Sequence, residues 1–489
     1  MDYWIFLTND DQLKLRLISE IAATSDGVVS IRYIINMLQI SRYKLNKTLD
    51  EITHSINSIG DDVKIAVEDG DVVSQNVDFV FYRHAQLYLL KQSMLFDVFN
   101  FEYIDDQKET RQMFTSDHFI SQAKYYNLRS KIDNEFNQTN MFTRSAILNV
   151  HQEFTRRMQI TKIYYHYFHG IEDPFPELSE ITTKFVNTLV MTYKLSLTPS
   201  EKAELRLFFQ IQAQRIQHRN FVNIRDIVKP VKNDNVDIIQ RFYSNHVAYF
   251  DKSDVCSEMA YLMSFLVSQD YISNDKVEFS TGINGSFNTA LLQFEKILLN
   301  TKMLKHDLVS DDDLRKAAEK LSTLNHKLLI FDFQIGFMDA TSYESQVARD
   351  FPGLQSIAFE LTDSLIQVFK LDATDQERAR IANNYLLELV SELPDGSVED
   401  RVSLCVDFSG NRSTRDYIVH ALNHYFDKNV DISTKLNKKS DIYLSDVCNE
   451  SIRGIPQITL PLFPSKNNLK RLSDLIFKVR KNKLKLLTD

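Results

Sequence analysis

Two short stretches of this sequence crowd cations, amides and tyrosines in a way that suits contact with a polyanion. Arg42, Tyr43, Lys44, Asn46 and Lys47 fall within six consecutive positions, with no acidic residue before Asp50. Gln122, Lys124, Tyr126, Asn127, Arg129 and Lys131 repeat the arrangement, with no acid before Asp133. Lys and Arg pair with backbone phosphates, and Arg, Asn, Gln and Lys also reach base edges, so such a row fits a helix seated in a DNA groove. A further basic group, Arg144, Arg156 and Arg157, follows the second stretch. One stretch alone reads more readily as a solvated helix face. The recurrence favours nucleic acid.

Other chemistry is sparse. His420 and His424 stand one helical turn apart, the spacing of two metal ligands, but no Glu or third ligand accompanies them. His166 and His169 lie among aromatic residues and read as structural. No nucleophile–base pairing, Walker lysine loop or paired-carboxylate motif stands out, so no catalytic residue, metal or cofactor is expected. Cys256, Cys405 and Cys448 form no pair at metal or redox spacing, which fits a reducing cytosol and a cytoplasmic protein.

The elements that position the basic rows follow from periodicity. Leu13, Leu15, Ile18 and Ile21 mark a first helix, and Ser30–Leu38 a second. Ile40-Ser41 makes a turn into a third helix over Arg42–Ile56, with Leu45, Leu49 and Ile52 inward. VKIAVEDGDVVSQ then reads as a hairpin turning at Asp69-Gly70. Three helices and a hairpin in this order describe a winged helix-turn-helix. A second set is expected to start with a helix over His84–Phe99. A short helix near Glu109–Phe114, a turn around Ser116–Phe119, the second basic helix and a wing over Ala146–Arg157 complete it. The middle of the chain, Pro174–Glu392, reads as helical bundles, interrupted by turns such as Gly282-Ile283-Asn284-Gly285. After Pro394-Asp395-Gly396 the period changes. RVSLCVDF, VDIST, DIYLSDV and QITLPLF alternate with helical segments, as in a small α/β domain with a parallel sheet.

Composition bounds these readings. A chain of 489 residues exceeds one core, and 11 Gly with 9 Pro lean it toward helix. The fold class expected is mainly α and multidomain: winged helix-turn-helix units at 1–78 and 79–170, helical bundles at 171–285 and 286–395, and an α/β domain at 396–489. No apolar run approaches a membrane span and the start carries no basic signal region, so neither membrane nor secretion is expected. A net charge of −9 excludes a protein that coats nucleic acid over its whole surface. It leaves room for local basic helices, because contacts act within a Debye length of ~8–10 Å.

This layout resembles the Mga/AtxA family of virulence transcriptional regulators, most specifically in ISQAKYYNLRSKI and RRMQITKIYYHYFHG. The resemblance covers essentially the whole chain. It implies a global activator of virulence or metabolic genes, acting on double-stranded DNA as a homodimer or higher oligomer through the bundles and the C-terminal domain. In the family the bundles resemble phosphotransferase-system regulation domains, whose histidines are phosphorylated by phosphocarrier proteins. That carry-over points to His326 first, in LNHKLLIFDF, and to His218 second. Gln212 falls near the first-histidine position, in LRLFFQIQAQRIQHRNF, and Phe265 at that of EMAYLMSFLV. The C-terminal segment resembles enzyme IIB of the same system, with Asp407 where a phosphoryl-carrying cysteine would stand, so an interaction domain is implied there. The competing reading is a phosphotransferase-linked signalling protein whose DNA-binding helices are vestigial.

Overall fold

The computed structural model describes residues 3–24, 26–59, 62–105, 110–137, 152–224, 227–247, 252–331, 347–394, 396–398, 401–409, 412–426, 430–461 and 465–488. The fold is mainly helical, with a small parallel sheet near the C-terminal end. Two compact units divide the chain at Glu278 and Phe279. Among the described residues no helix is long and apolar enough to cross a membrane.

The first unit begins with α1 (Asn9–Ala22), whose Thr8 side chain accepts from the Asp11 amide and which buries Leu15, Leu17, Ile18 and Ile21. β1 (Val28–Ser30) leads to α2 (Ile31–Leu38) and α3 (Arg42–Ile59), the latter anchored by Leu45, Leu49 and Ile52. β2 (Lys64–Glu68) and β3 (Asp71–Gln75) form the expected hairpin, and β1 adds antiparallel to β3. Asp69 and Gly70, at φ 47° and 90°, supply the two positive-φ residues that a tight hairpin of this twist requires. Gly27 closes the other side of the sheet. Its carbonyl accepts from the Ser74 amide (2.8 Å) and hydroxyl (3.0 Å), and a Cβ on it would lie 2.4 Å from the Ser74 carbonyl at a φ of +69°. Gly27→Ala is therefore expected to cost about 2 kcal/mol, read as a lowered urea midpoint for the first unit. A midpoint shift equal to that of Gly70→Ala, where a Cβ meets nothing within 4 Å, would show that φ alone matters.

The next helices correct two expectations. In place of one helix over His84–Phe99 there are two, α4 (Phe79–Lys91) and α5 (Met94–Tyr103). Ser93 breaks them: its hydroxyl accepts from the Phe96 amide and donates to the Phe6 carbonyl, so it works as an N-cap. α6 (Arg111–Asp117) and α7 (Gln122–Asn137) follow. The wing expected over Ala146–Arg157 is not supported where it can be seen. Residues 146–151 lie outside the described residues, and from Gln152 the chain is already α8 (Gln152–Phe168). Phe154, Met158, Thr161 and Tyr165 are buried at spacings of four, three and four, the stripe of an α-helix.

The rest of the unit is α9 (Ser179–Tyr193), α10 (Pro199–Gln217), α11 (Asp234–His246) and α12 (Lys252–Ser268), with a two-stranded ribbon of β4 (Val228–Pro230) and β5 (Val277–Phe279). Stacked rings fill its interior: Phe185 on Phe209 at 3.7 Å and Phe208 on Phe265 at 3.8 Å between centroids.

In the second unit α13 (Thr281–Asn300), α14 (Asp311–His326), α15 (Pro352–Phe369) and α16 (Asp375–Glu392) pack together. The turn expected at Gly282–Gly285 is instead the first turn of α13, entered from Ser280. Beyond it, β6 (Val402–Asp407), β7 (Val430–Ser433), β8 (Ile442–Ser445) and β9 (Gln457–Thr459) make a parallel sheet in the order β7-β6-β8-β9. Val402, Leu404, Val406, Ile442 and Leu444 are buried, as parallel strands covered by helices require. α17 (Arg412–Phe426) and the basic α18 (Lys466–Thr488) cover it, α18 through Leu472 and Ile476.

Candidate nucleic-acid interface

The two basic rows sit on α3 and α7, and both helices are entered through the same turn. Gln39 and Phe119 are left-handed, at φ 53° and 52°. Each is followed by an isoleucine whose amide returns to the preceding helix, Ile40 to the Ile35 carbonyl (3.3 Å) and Ile120 to the Thr115 carbonyl (3.0 Å). Ser41 and Ser121 then cap the next helix, their hydroxyls accepting from the Lys44 and Lys124 amides at 3.2 Å in both cases. Leu45 and Tyr125 bond back to Ser41 and Ser121 at 3.0 Å and are buried. The left-handed residue, Ile and Ser thus recur with one hydrogen-bond pattern, which fixes how α3 leaves α2 and how α7 leaves α6.

That shared geometry decides which side chains face solvent. On α3, Arg42, Tyr43, Asn46 and Lys47 are exposed, and Tyr43 is 79% accessible. Lys44 is half-buried and pairs with Asp10 at 2.7 Å, an interaction that holds the Asp10 carboxyl below its ordinary range. Lys47 approaches Glu51 at 3.7 Å. On α7, Gln122, Lys124, Tyr126, Asn127 and Lys131 are exposed. Phe119, at the turn itself, is 96% accessible.

The remaining basic candidates part company with these rows. Arg144 lies outside the described residues. Arg129 is half-buried and sits 3.4 Å from Glu102 and 3.7 Å from Asp133. Arg156 lies over the Tyr103 ring at 5.4 Å. Arg157 has no accessible surface: it donates to both Glu258 oxygens (2.6 and 2.8 Å), to Glu153 and to the Asn220 carbonyl. A guanidinium in that position cannot reach a phosphate, so Arg157 leaves the DNA-contacting set and belongs to the core. A periodicity reading misses this because its partner stands on α12, far along the chain.

The phosphorylation candidates are corrected as well. His326 is buried between Phe287 and Phe279, at ring centroid distances of 4.1 and 5.0 Å, and burial depresses its pKa to about 4. An imidazole stacked in an apolar core is not presented to a phosphocarrier. His218 is partly exposed just after the last turn of α10. Gln212 is buried, its amide donating to Glu258 and its oxygen accepting from the Tyr243 hydroxyl. Asp407 accepts from the Tyr443 hydroxyl at 2.8 Å at the end of β6. His420 and His424 are exposed, and no group of three metal-ligating side chains occurs among the described residues. Comparison with known proteins finds no matching family model and no significantly similar characterised protein.

Proposed function

We propose that this protein is a DNA-binding transcriptional regulator, with α1–β3 forming one winged helix-turn-helix and α4–α7 the core of a second. The single observation that carries the reading is the recurring left-handed residue–Ile–Ser turn, each time opening a helix with an exposed row of cations and amides. Two such helices on one chain suit successive grooves, with phosphate contacts supplying most of the affinity. The parallel sheet and the helical bundle of the second unit then serve assembly, as the resemblance to Mga/AtxA regulators implies for a cytoplasmic homo-oligomer that activates transcription. The alternative, a phosphotransferase-linked signalling protein, would rest on His218, which is partly exposed, because His326 is buried.

A gel-shift salt titration tests the assignment. Replacing Arg42 with Lys47 on α3, or Lys124 with Lys131 on α7, by alanine removes two phosphate-reaching cations. Each pair is expected to flatten the slope of log K against log salt by about 1–2 and to weaken binding at low salt about tenfold or more. Unchanged slopes in both pairs would remove these helices from the interface. Arg157 variants are expected to act through folding instead.

A further inference from the structure

In the first unit a cavity of about 550 Å³ opens beside α7, at the C-terminal end of α10. Five guanidinium groups line it, those of Arg111, Arg129, Arg156, Arg215 and Arg219, against three carboxylates, Glu102, Asp105 and Asp133. Arg215 is fully engaged: it meets Glu153 at 2.7 and 2.9 Å and donates to the Tyr103 carbonyl at 2.6 Å. The other four are less fully engaged. Arg111 and Arg129 share Glu102, at 3.3 and 3.4 Å, and that carboxylate also accepts from the Tyr125 hydroxyl. Arg129 lies 3.7 Å from Asp133 as well, and Asp133 accepts from the Tyr103 hydroxyl. The Arg129 Nε is buried and makes no hydrogen bond. Arg156 reaches Glu153 only at 4.0 Å, and Arg219 has no ion-pair partner among the described residues.

Arg219 is held there at a backbone cost. It is left-handed (φ 58°), its amide bonded to the Ile216 carbonyl just past the end of α10, a position at which glycine is the unstrained choice. A non-glycine residue is strained in that conformation, so the turn itself does not ask for arginine.

From this arrangement we infer that the cavity is a binding site for a small phosphate monoester. Guanidinium forks match phosphate oxygens, and a dianion adds charge and acceptors where Arg111, Arg129, Arg156 and Arg219 outnumber Glu102, Asp105 and Asp133 along the lining. The cavity has room for a compact metabolite. Its residues come from α5, α6, α7, α8 and the α10 terminus, so an occupant ties α7 to the helices behind it. Control of DNA affinity by that occupant rests on the function proposed above; the binding site does not.

The full-length protein titrated with inorganic phosphate and with glycerol 3-phosphate, by calorimetry and thermal shift, tests the site, with glycerol and chloride as controls. Both phosphates are expected to bind saturably at one site, the ester more tightly, and to raise Tm. Arg219→Gly is expected to unfold no more easily than the parent, since it relieves the left-handed strain, yet to bind about tenfold more weakly, as Arg111→Gln does. No saturable binding below about 10 mM overturns the site, and so does binding that both variants leave unchanged. Binding lost in the variants together with no DNA retention in any salt upholds the site while the DNA reading falls.

Discussion

Glu258→Ala is expected to destabilise the first unit by about 3–5 kcal/mol, enough to leave much of it unfolded at physiological temperature. Glu258 has no accessible surface and accepts four hydrogen bonds: two from Arg157, one from the Gln212 amide at 2.9 Å and one from the Val222 backbone at 3.0 Å. Burial by itself depresses the Arg157 pKa. The charge and hydrogen bonds of Glu258 overturn that and hold it above the ordinary guanidinium range, so Arg157 stays charged. Deleting the carboxylate strands a buried cation. Among the described residues Glu153 would then be the one carboxylate bonded to it, beside the Asn220 carbonyl, and Glu153 is already bidentate to Arg215. The conservative Glu258→Gln keeps part of the hydrogen bonding and is expected to lose less, about 2 kcal/mol. Arg157→Met with Glu258→Leu removes both charges and is expected to recover most of the loss, because apolar replacement of a whole buried pair is often neutral. Equilibrium unfolding in urea reads all three. A loss under about 1 kcal/mol for the alanine variant would mean that the network is incidental to stability.

This network also marks where sequence reading stops. Arg157 was legible as a cation beside Arg156, and a pair of arginines after a basic helix looks like a wing. What places it in the core is a carboxylate that arrives from α12, and nothing local to RRMQI encodes that meeting. His326 fails the same way: a histidine in an apolar context is visible, but its stacking between Phe279 and Phe287 is tertiary. The break between α4 and α5 turns on one serine whose hydroxyl finds the Phe6 carbonyl, 87 positions earlier in the chain. The legible parts are those with local causes. Asp69-Gly70 adopts positive φ at both positions because these residues tolerate it, and the hairpin follows. RVSLCVDF reads as a buried strand because Val402, Leu404 and Val406 on one face and Cys405 on the other are all apolar, as a parallel strand covered on both faces requires. The candidate interface lies between these cases. The basic rows were plain, and the identical turns that aim them emerge only once Gln39 and Phe119 are seen to share one backbone conformation.

Acid is expected to destabilise the first unit through His166 by about 2 kcal/mol between pH 7 and pH 5. The reason is a chain of donors that leaves His166 no room for a second proton. Arg83 donates to the Gln86 side-chain oxygen at 2.6 Å and to the His166 carbonyl at 2.6 Å, which turns the Gln86 amide nitrogen toward the His166 Nε2 at 2.7 Å. Nε2 must therefore accept, and the ring is neutral. Burial, reinforced by the Arg83 charge, depresses its pKa to about 3. In the unfolded chain the same imidazole titrates near 6.5, so between the two values the unfolded state binds the extra proton. The stabilisation is fully present above about pH 6.5, declines as pH falls below it, and continues to decline toward the folded value. His326 in the second unit follows the same sign over a narrower window, from about 6.5 to about 4. His166→Gln keeps a side-chain acceptor for Gln86 but cannot take a proton. In that variant the urea midpoint of the first unit is expected to lose most of its slope between pH 7 and pH 5, whatever its absolute stability. An unaltered slope would place the acid sensitivity elsewhere, since His169, stacked on Tyr165 and with a pKa lowered by burial and by Arg83, is the nearest other imidazole.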